Sequence, residues 1–257
     1  MRRVLAALAL LAVVVIVWEG SKALFTLPDY KLPHIAMIFE AFMRPTPKGL
    51  TIWVLLGDMA YTALEAVIGF VLGGVAGFLL AVLFVHFKPA ERGLLPYVIA
   101  SQTVPIIAIA PMVVVGIGRL GAPPWLSKSI IAAYLTFFPV TINVLRGLTS
   151  VDRDKLALMH SYAATRAQVF FKLRLPASAP YLFTALKISA TASVIGAIIG
   201  ELPVGSTRGL GVQLVVGSQY NTFNPGFLWA TILMAALLGM VFYGLVALLE
   251  RLVVRWR

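Results

Sequence analysis

Six long stretches of the chain carry little charge, and the polar residues collect between them. A window of about 19 residues, the length a helix needs to cross about 30 Å of hydrocarbon, isolates six apolar runs. They lie near Val4–Leu24, Tyr61–Phe87, Leu94–Ile117, Ser129–Leu148, Tyr181–Gly200 and Pro225–Leu249. Strands crossing a membrane would alternate apolar and polar residues over about ten positions, and these runs do not. The pattern predicts an all-α polytopic membrane bundle of six transmembrane helices, a single domain over residues 1–257. Between the first two spans, Phe25–Gly49 holds Pro28, Pro33, Pro45, Pro47 and the half-apolar "HIAMIFEAFM", which reads as a surface linker with one short amphipathic helix.

Composition agrees. The chain is 60% hydrophobic and 12% charged, with mean hydropathy +0.95, against roughly 45–50% and about 25% in soluble domains. Its net charge of +11 sits in short loops, the signature of segments facing anionic lipid, so nucleic acid is not the expected partner. With a cytoplasmic amino terminus, the inside holds Arg2, Arg3, Lys88, Arg92, Arg146, Arg153, Lys155, Arg166, Lys172, Arg174, Arg251, Arg255 and Arg257. The outside keeps Lys22, Lys31, Arg44, Lys48, Arg119, Lys128 and Arg208 over a greater length of loop. The inside-positive bias places both termini in the cytoplasm. Arg2-Arg3, the apolar run to Trp18 and Ser21-Lys22-Ala23 also fit a cleavable signal peptide, the alternative to a retained first span.

Inside the spans, Gly69, Gly73 and Gly77 recur every four residues and share one helix face, where a neighbouring helix can approach closely. Gly74 extends the small surface to an adjacent face. The third run carries Pro96, Pro105 and Pro111 with Gln102. Each proline frees a carbonyl that needs another donor, so a broken helix is expected, with Gln102 as a candidate donor. Such a break serves a transport path or plain packing equally well. Glu65 lies on the glycine face, Glu201 closes the fifth span and Lys187 enters it from the inner side. The two carboxylates are expected to be hydrated near the outer surface, and Lys187 to reach the inner headgroups. Gln102, Pro105 and Glu201 are the candidate path residues.

Enzyme chemistry finds no footing. The three histidines, His34, His86 and His160, show no metal-ligand spacing, there is no cysteine, and neither a phosphate loop of the G-x-x-x-x-G-K-[ST] type nor a G-x-S-x-G elbow occurs. The polar interruption Thr149–Ala179 is the largest inner loop. Ser150 or Asp152 can cap a first short helix, and "TRAQVFFKLRLP" predicts a second that Pro176 ends. The hairpin suits either a membrane surface or a soluble partner.

The loop resembles that of bacterial binding-protein-dependent ABC transporter permeases, whose pattern is Glu-Ala-Ala, three residues, Gly, nine residues, then Ile-x-Leu-Pro. Here the closing element is Leu173-Arg174-Leu175-Pro176, the glycine position is Ala163, and the opening triplet is Ala157-Leu158-Met159. The leading glutamate and the glycine are absent. "SQTVPIIAIAPM", "TFFPVTINVLRGL" and "GELPVGSTRGLG" are similar to segments of the nitrate, sulfonate, taurine and thiamine-precursor branch, whereas "GRLGAPPWLSK" looks lengthened.

The resemblance implies a type I ABC importer permease in the bacterial cytoplasmic (inner) membrane. It implies a second permease copy, giving a homodimer, and two ABC ATPase subunits that bind ATP and Mg, with no cofactor on this chain. A periplasmic or lipid-anchored binding protein would deliver a small solute, either a nitrate-, sulfonate- or taurine-like anion or a pyrimidine or vitamin precursor. The ATPase contact would fall on Tyr162, Ala163, Ala164, Thr165, Arg166, Ala167 and Gln168, with Leu175 and Pro176 closing the loop. A stand-alone secondary transporter is the alternative, although it would need coupling-ion sites and usually internal repeats.

Overall fold

The computed structural model describes residues 2–47, 49–203 and 205–254. Lys48, Arg255 and Arg257 of the charge bias lie outside the described residues. Helix α1 (Arg2–Leu24) occupies the first expected span. It leaves Leu8, Leu11 and Ile16 exposed and is held at its end, where Trp18 meets Trp229 edge to face at 4.7 Å and donates its ring N–H to the Pro33 carbonyl at 2.9 Å. The linker forms the expected short helix, α2 (Ile35–Met43). A two-residue hairpin follows, β1 (Pro45–Thr46) against β2 (Gly49–Leu50), paired Pro45 to Leu50 and Thr46 to Gly49.

Helix α3 (Thr51–His86) starts ten residues before the apolar run. The run began at Tyr61, just after polar Asp58, which the fold buries rather than exposes. At about 1.5 Å per residue its 36 residues extend about 54 Å, well beyond the hydrocarbon. The third run is broken as expected, into α4 (Lys88–Ser101) and α5 (Ile106–Arg119), which meet at 98°. Pro105 cannot donate to the Ser101 carbonyl four residues back, and that carbonyl instead accepts from the Tyr134 hydroxyl. Tyr134 and the Val104 N–H at 3.3 Å, rather than the Gln102 side chain, therefore serve the freed acceptor.

Helix α6 (Pro124–Thr149) packs parallel to α3, because Gly69, Gly73 and Gly77 meet Ala132, Thr136 and Val140 in that order. A Cβ added at Gly73 would run into the Ala133 carbonyl and the Thr136 side chain, so the bare backbone sets the helix separation. Two parallel helices require the segment between them to return the chain across the bundle. That makes α4–α5 one broken span rather than a re-entrant loop.

Beyond α6 come α7 (Arg153–Ser161), α8 (Arg166–Val169), a π-turn (Phe170–Arg174) and α9 (Leu175–Glu201). Helix α9 runs antiparallel to α6, with Gly147 against Ser178 and Tyr181, and Gly200 against Lys128. Helix α10 (Leu210–Gln219) and the long α11 (Pro225–Val253) complete the fold. Among the described residues, α3, α6, the continuous stretch Arg166–Glu201 and α11 are each long and apolar enough to cross a membrane, and the bent pair adds a fifth crossing.

Two apolar clusters hold the helices. Leu55, Ala66, Ala132, Ala197, Leu210 and Met234 fill the end near α10, and Phe84, Val140, Val144, Leu148 and Phe170 fill the end near α7. Lys187 does not reach for headgroups. It pairs with Glu250 of α11 at 2.7 Å, both side chains largely buried, because a partner within reach costs less than an extended lysine at that depth.

Candidate functional site: the projecting loop and the buried polar network

The loop begins where Asp152 caps α7, its carboxylate accepting from the Asp154 N–H. At the end of α7 the chain turns through Ala163, whose φ of 50° lies in the left-handed region. This is the position where the related loop pattern has glycine, and an L side chain there costs about 1–2 kcal/mol. Thr165 then caps α8 reciprocally with Gln168: the Gln168 N–H donates to the Thr165 hydroxyl at 3.3 Å, and the Thr165 N–H donates to the Gln168 side-chain oxygen Oε1 at 2.8 Å. Those two side chains are committed to fixing the helix start. Tyr162, Ala163, Thr165, Arg166, Ala167 and Gln168 are exposed, and Ala164 is half-buried.

Pro176 does not end the helix. The π-turn intervenes, with the Leu175 N–H donating to the Phe170 carbonyl five residues back. The widened turn lets proline enter at the start of α9, where its missing N–H removes no needed bond. Leu175 is half-buried and Pro176 exposed in this join. The result is one 36-residue helical unit, Arg166–Glu201, about 54 Å long. From Arg166 onward the loop is therefore the end of a transmembrane helix, with α7 and the turn at Tyr162–Thr165 leading into it.

At the opposite end the structure assembles a buried polar network around Glu65 and Glu201, the two carboxylates expected in water. Asp58, Thr62 and Glu65 occupy one face of α3, and Glu65 and Glu201 are 0% and 1% exposed. The Thr62 hydroxyl donates to Glu201 at 2.7 Å, and the Gly211 N–H donates to the other Glu201 oxygen at 2.6 Å. The Gly209 N–H and the Gln213 side-chain amide donate to Asp58 at 3.2 and 2.7 Å, and the Leu210 N–H donates to Thr62 at 2.9 Å. The amino-terminal N–H groups of α10, with the helix dipole behind them, thus hold carboxylates from α3 and α9. Lys128 of α6 approaches Glu65 at 3.3 Å and lies over the Tyr61 ring at 5.3 Å. Gly209, at φ 112°, leaves no room for a side chain, since a Cβ there would strike the Glu201 carboxylate.

Of the three candidate path residues, Gln102 and Pro105 sit together at the bend of the broken span, both exposed. Glu201 is apart from them, with both oxygens engaged by Thr62 and Gly211. The expectations missed Asp58, Thr62, Lys128 and Gln213, although polar residues at 58, 62 and 65 continue the line of Gly69, Gly73 and Gly77. Among the described residues no group of three His, Cys, Asp or Glu is placed to hold a metal ion.

Residues 69–255 match the family described as binding-protein-dependent transport system inner membrane component. The formylaminopyrimidine transport permease protein of Halalkalibacterium halodurans is 34% identical over 86% of this chain and 88% of that protein. The riboflavin transport system permease protein of Chloroflexus aurantiacus is 28% identical over 96% and 88%. Among solved structures, an inward-facing methionine ABC transporter overlays with a TM-score of 0.59 at 19% identity, covering 78% of this chain and 94% of that one, a likeness of fold. The chain belongs to the binding-protein-dependent inner membrane components, the permease subunits of ABC importers for small solutes.

Proposed function

We propose that two copies of this chain form the membrane pathway of an importer in the bacterial cytoplasmic membrane, driven by two ATPase subunits that bind ATP and Mg. Tyr162–Gln168 is the ATPase contact. The observation that carries this reading is the unbroken helical unit Arg166–Glu201. A displacement imposed at the exposed loop moves a rigid rod whose far end carries Glu201, fastened to α3 and α10. Closure of the ATPase subunits would then shift the α10 end of the bundle without bending the rod. Gln102 and Pro105, at the break in the third span, form the part of the path that yields, and Glu201 acts on the path through α10 rather than by touching solute. An external binding protein docks on the loops at the α10 end.

The solute is a small nitrogen heterocycle of the pyrimidine or vitamin-precursor class, supported by the names of the formylaminopyrimidine and riboflavin relatives. The test is uptake of labelled formylaminopyrimidine, riboflavin and taurine into proteoliposomes holding the chain, its ATPase and its binding protein. ATP-dependent uptake of a heterocycle that stops when the binding protein is withheld is expected. Uptake driven by an ion gradient without ATP would establish the secondary-transporter reading instead.

A further inference from the structure

Between the end of α3 and the projecting loop lies a cavity of about 330 Å³ that shares only Ala164 and Arg166 with the proposed ATPase contact. Four basic side chains line it: His86 from α3, His160 from α7, Arg166 from α8 and Arg174 from the π-turn. No carboxylate does. Of the acids at this end, Glu91 pairs with Lys88 at 2.5 Å and Glu250 with Lys187 at 2.7 Å, while Asp152 and Asp154, at the start of α7, do not line the cavity and pair with neither of its guanidinium groups. Neither guanidinium makes an ion pair with any described residue. Val169 and Phe170 supply an apolar wall, and the Phe170 ring stands 5.0 Å from the His86 ring. One His86 nitrogen is fixed by the Val82 carbonyl at 2.8 Å, which orients the imidazole.

We propose that this cavity is a binding site for a phosphate monoester or diester group, held by Arg174, Arg166, His86 and His160 beneath the loop. Guanidinium groups pair with phosphate oxygens in a two-pronged geometry, and two unpaired guanidinium groups, Arg166 and Arg174, converging on one cavity call for an anion. Two sources offer that group at this depth. An anionic lipid headgroup can enter sideways where α3 leaves the membrane, its glycerol against Val169 and Phe170. Free inorganic phosphate can enter from solution. The apolar wall and the position at the end of a span favour the lipid. The site joins α3 to the loop, so occupancy stiffens the contact that the proposed ATPase engages; this regulatory role rests on the coupling reading, whereas the site itself does not.

The test uses the purified full chain in nanodiscs of mixed phosphatidylglycerol and phosphatidylcholine, read by native mass spectrometry. His86→Gln with Arg174→Gln is the informative variant, because both residues lie outside Tyr162–Gln168. Arg174→Lys keeps the charge, and Lys172→Gln removes an exposed charge outside the cavity. Phosphatidylglycerol is expected to be retained over phosphatidylcholine, with retention falling about tenfold in the double variant, persisting in Arg174→Lys and unchanged in Lys172→Gln. In discs of phosphatidylcholine alone, millimolar inorganic phosphate is titrated and followed by thermal shift. A shift abolished by the double variant, without lipid selectivity, identifies free phosphate as the source and supports the site. If neither probe separates the double variant from the unaltered chain, the proposal is overturned. It is equally overturned if the variant loses only its ATPase, which would assign these cations to acidic side chains of that partner. Neither binding readout requires transport or ATPase, so failure here leaves the coupling reading to be judged separately.

Discussion

Replacing Lys128 by Met asks whether the buried network holds the bundle together. Lys128 is 2% exposed and Glu65 0%. Neither Glu65 oxygen has a hydrogen-bond partner among the described residues, so the ammonium at 3.3 Å is its counter-charge. Met keeps the stem that packs on Gly200, where the lysine Cα and side chain lie close to the bare backbone. The substitution removes charge and little volume. Stranding a buried carboxylate in this way costs about 3–5 kcal/mol, which lowers the melting temperature by on the order of 10 °C. Replacing both partners, Glu65→Leu with Lys128→Met, removes the uncompensated charge, and buried pairs exchanged for apolar side chains are commonly neutral to within about 1 kcal/mol. The double variant should therefore be more stable than Lys128→Met alone. The assay is a four-membered melting cycle in nanodiscs followed by tryptophan fluorescence. A Lys128→Met cost under about 1 kcal/mol, with the two substitutions simply additive, would refute the reasoning.

Three further outcomes follow from the geometry. Gly73→Ala places a Cβ against the Ala133 carbonyl and Thr136 and should cost about 1–3 kcal/mol. Gly74→Ala, whose nearest neighbour is the Leu186 methyl at 3.9 Å, should stay within about 0.5 kcal/mol in the same melts. Ala163→Gly relieves the left-handed turn by about 1 kcal/mol, seen as slower hydrogen exchange of the Tyr162–Gln168 amides. The Lys22 hydrogen bond holds the exposed Asp29 carboxyl below its ordinary value of 3.8. Its small contribution is present above that value and is lost as pH falls through the lowered one. An acid melt series should show the loss in the unaltered chain and not in Asp29→Asn.

What the sequence made legible was whatever depends on length and local pattern. Apolar runs located the five crossings found among the described residues, the Gly69-Gly73-Gly77 repeat located the α3 face that α6 meets, and Pro105 located the break, because each signal acts within a few turns of chain. The errors share one cause. Glu65, Glu201 and Lys187 were assigned to water or headgroups by their own polarity, and Asp58 was passed over, whereas their partners come from residues tens of positions away. Pro176 was read as a terminator by the ordinary α-helical rule, which the π-turn at Phe170–Arg174 evades. The projecting loop was visible in outline, because its signal is a contiguous polar segment. The polar network was invisible at α10, whose role appears only when Gly209 and Gly211 meet Glu201 in space.

The coupling proposed here passes through the exposed loop to an ATPase. The most direct measurement is a tagged purification from native membranes, comparing the unaltered chain with Ala167→Glu. Ala167 is exposed on α8 and lies outside the basic cavity, so the substitution adds bulk and charge only to the contact surface. The expected result is an ATP-binding subunit retained by the unaltered chain and lost from the variant, with both chains melting alike. An ATPase retained equally by both would contradict the assigned contact, and its absence from both under gentle extraction would contradict the coupling itself.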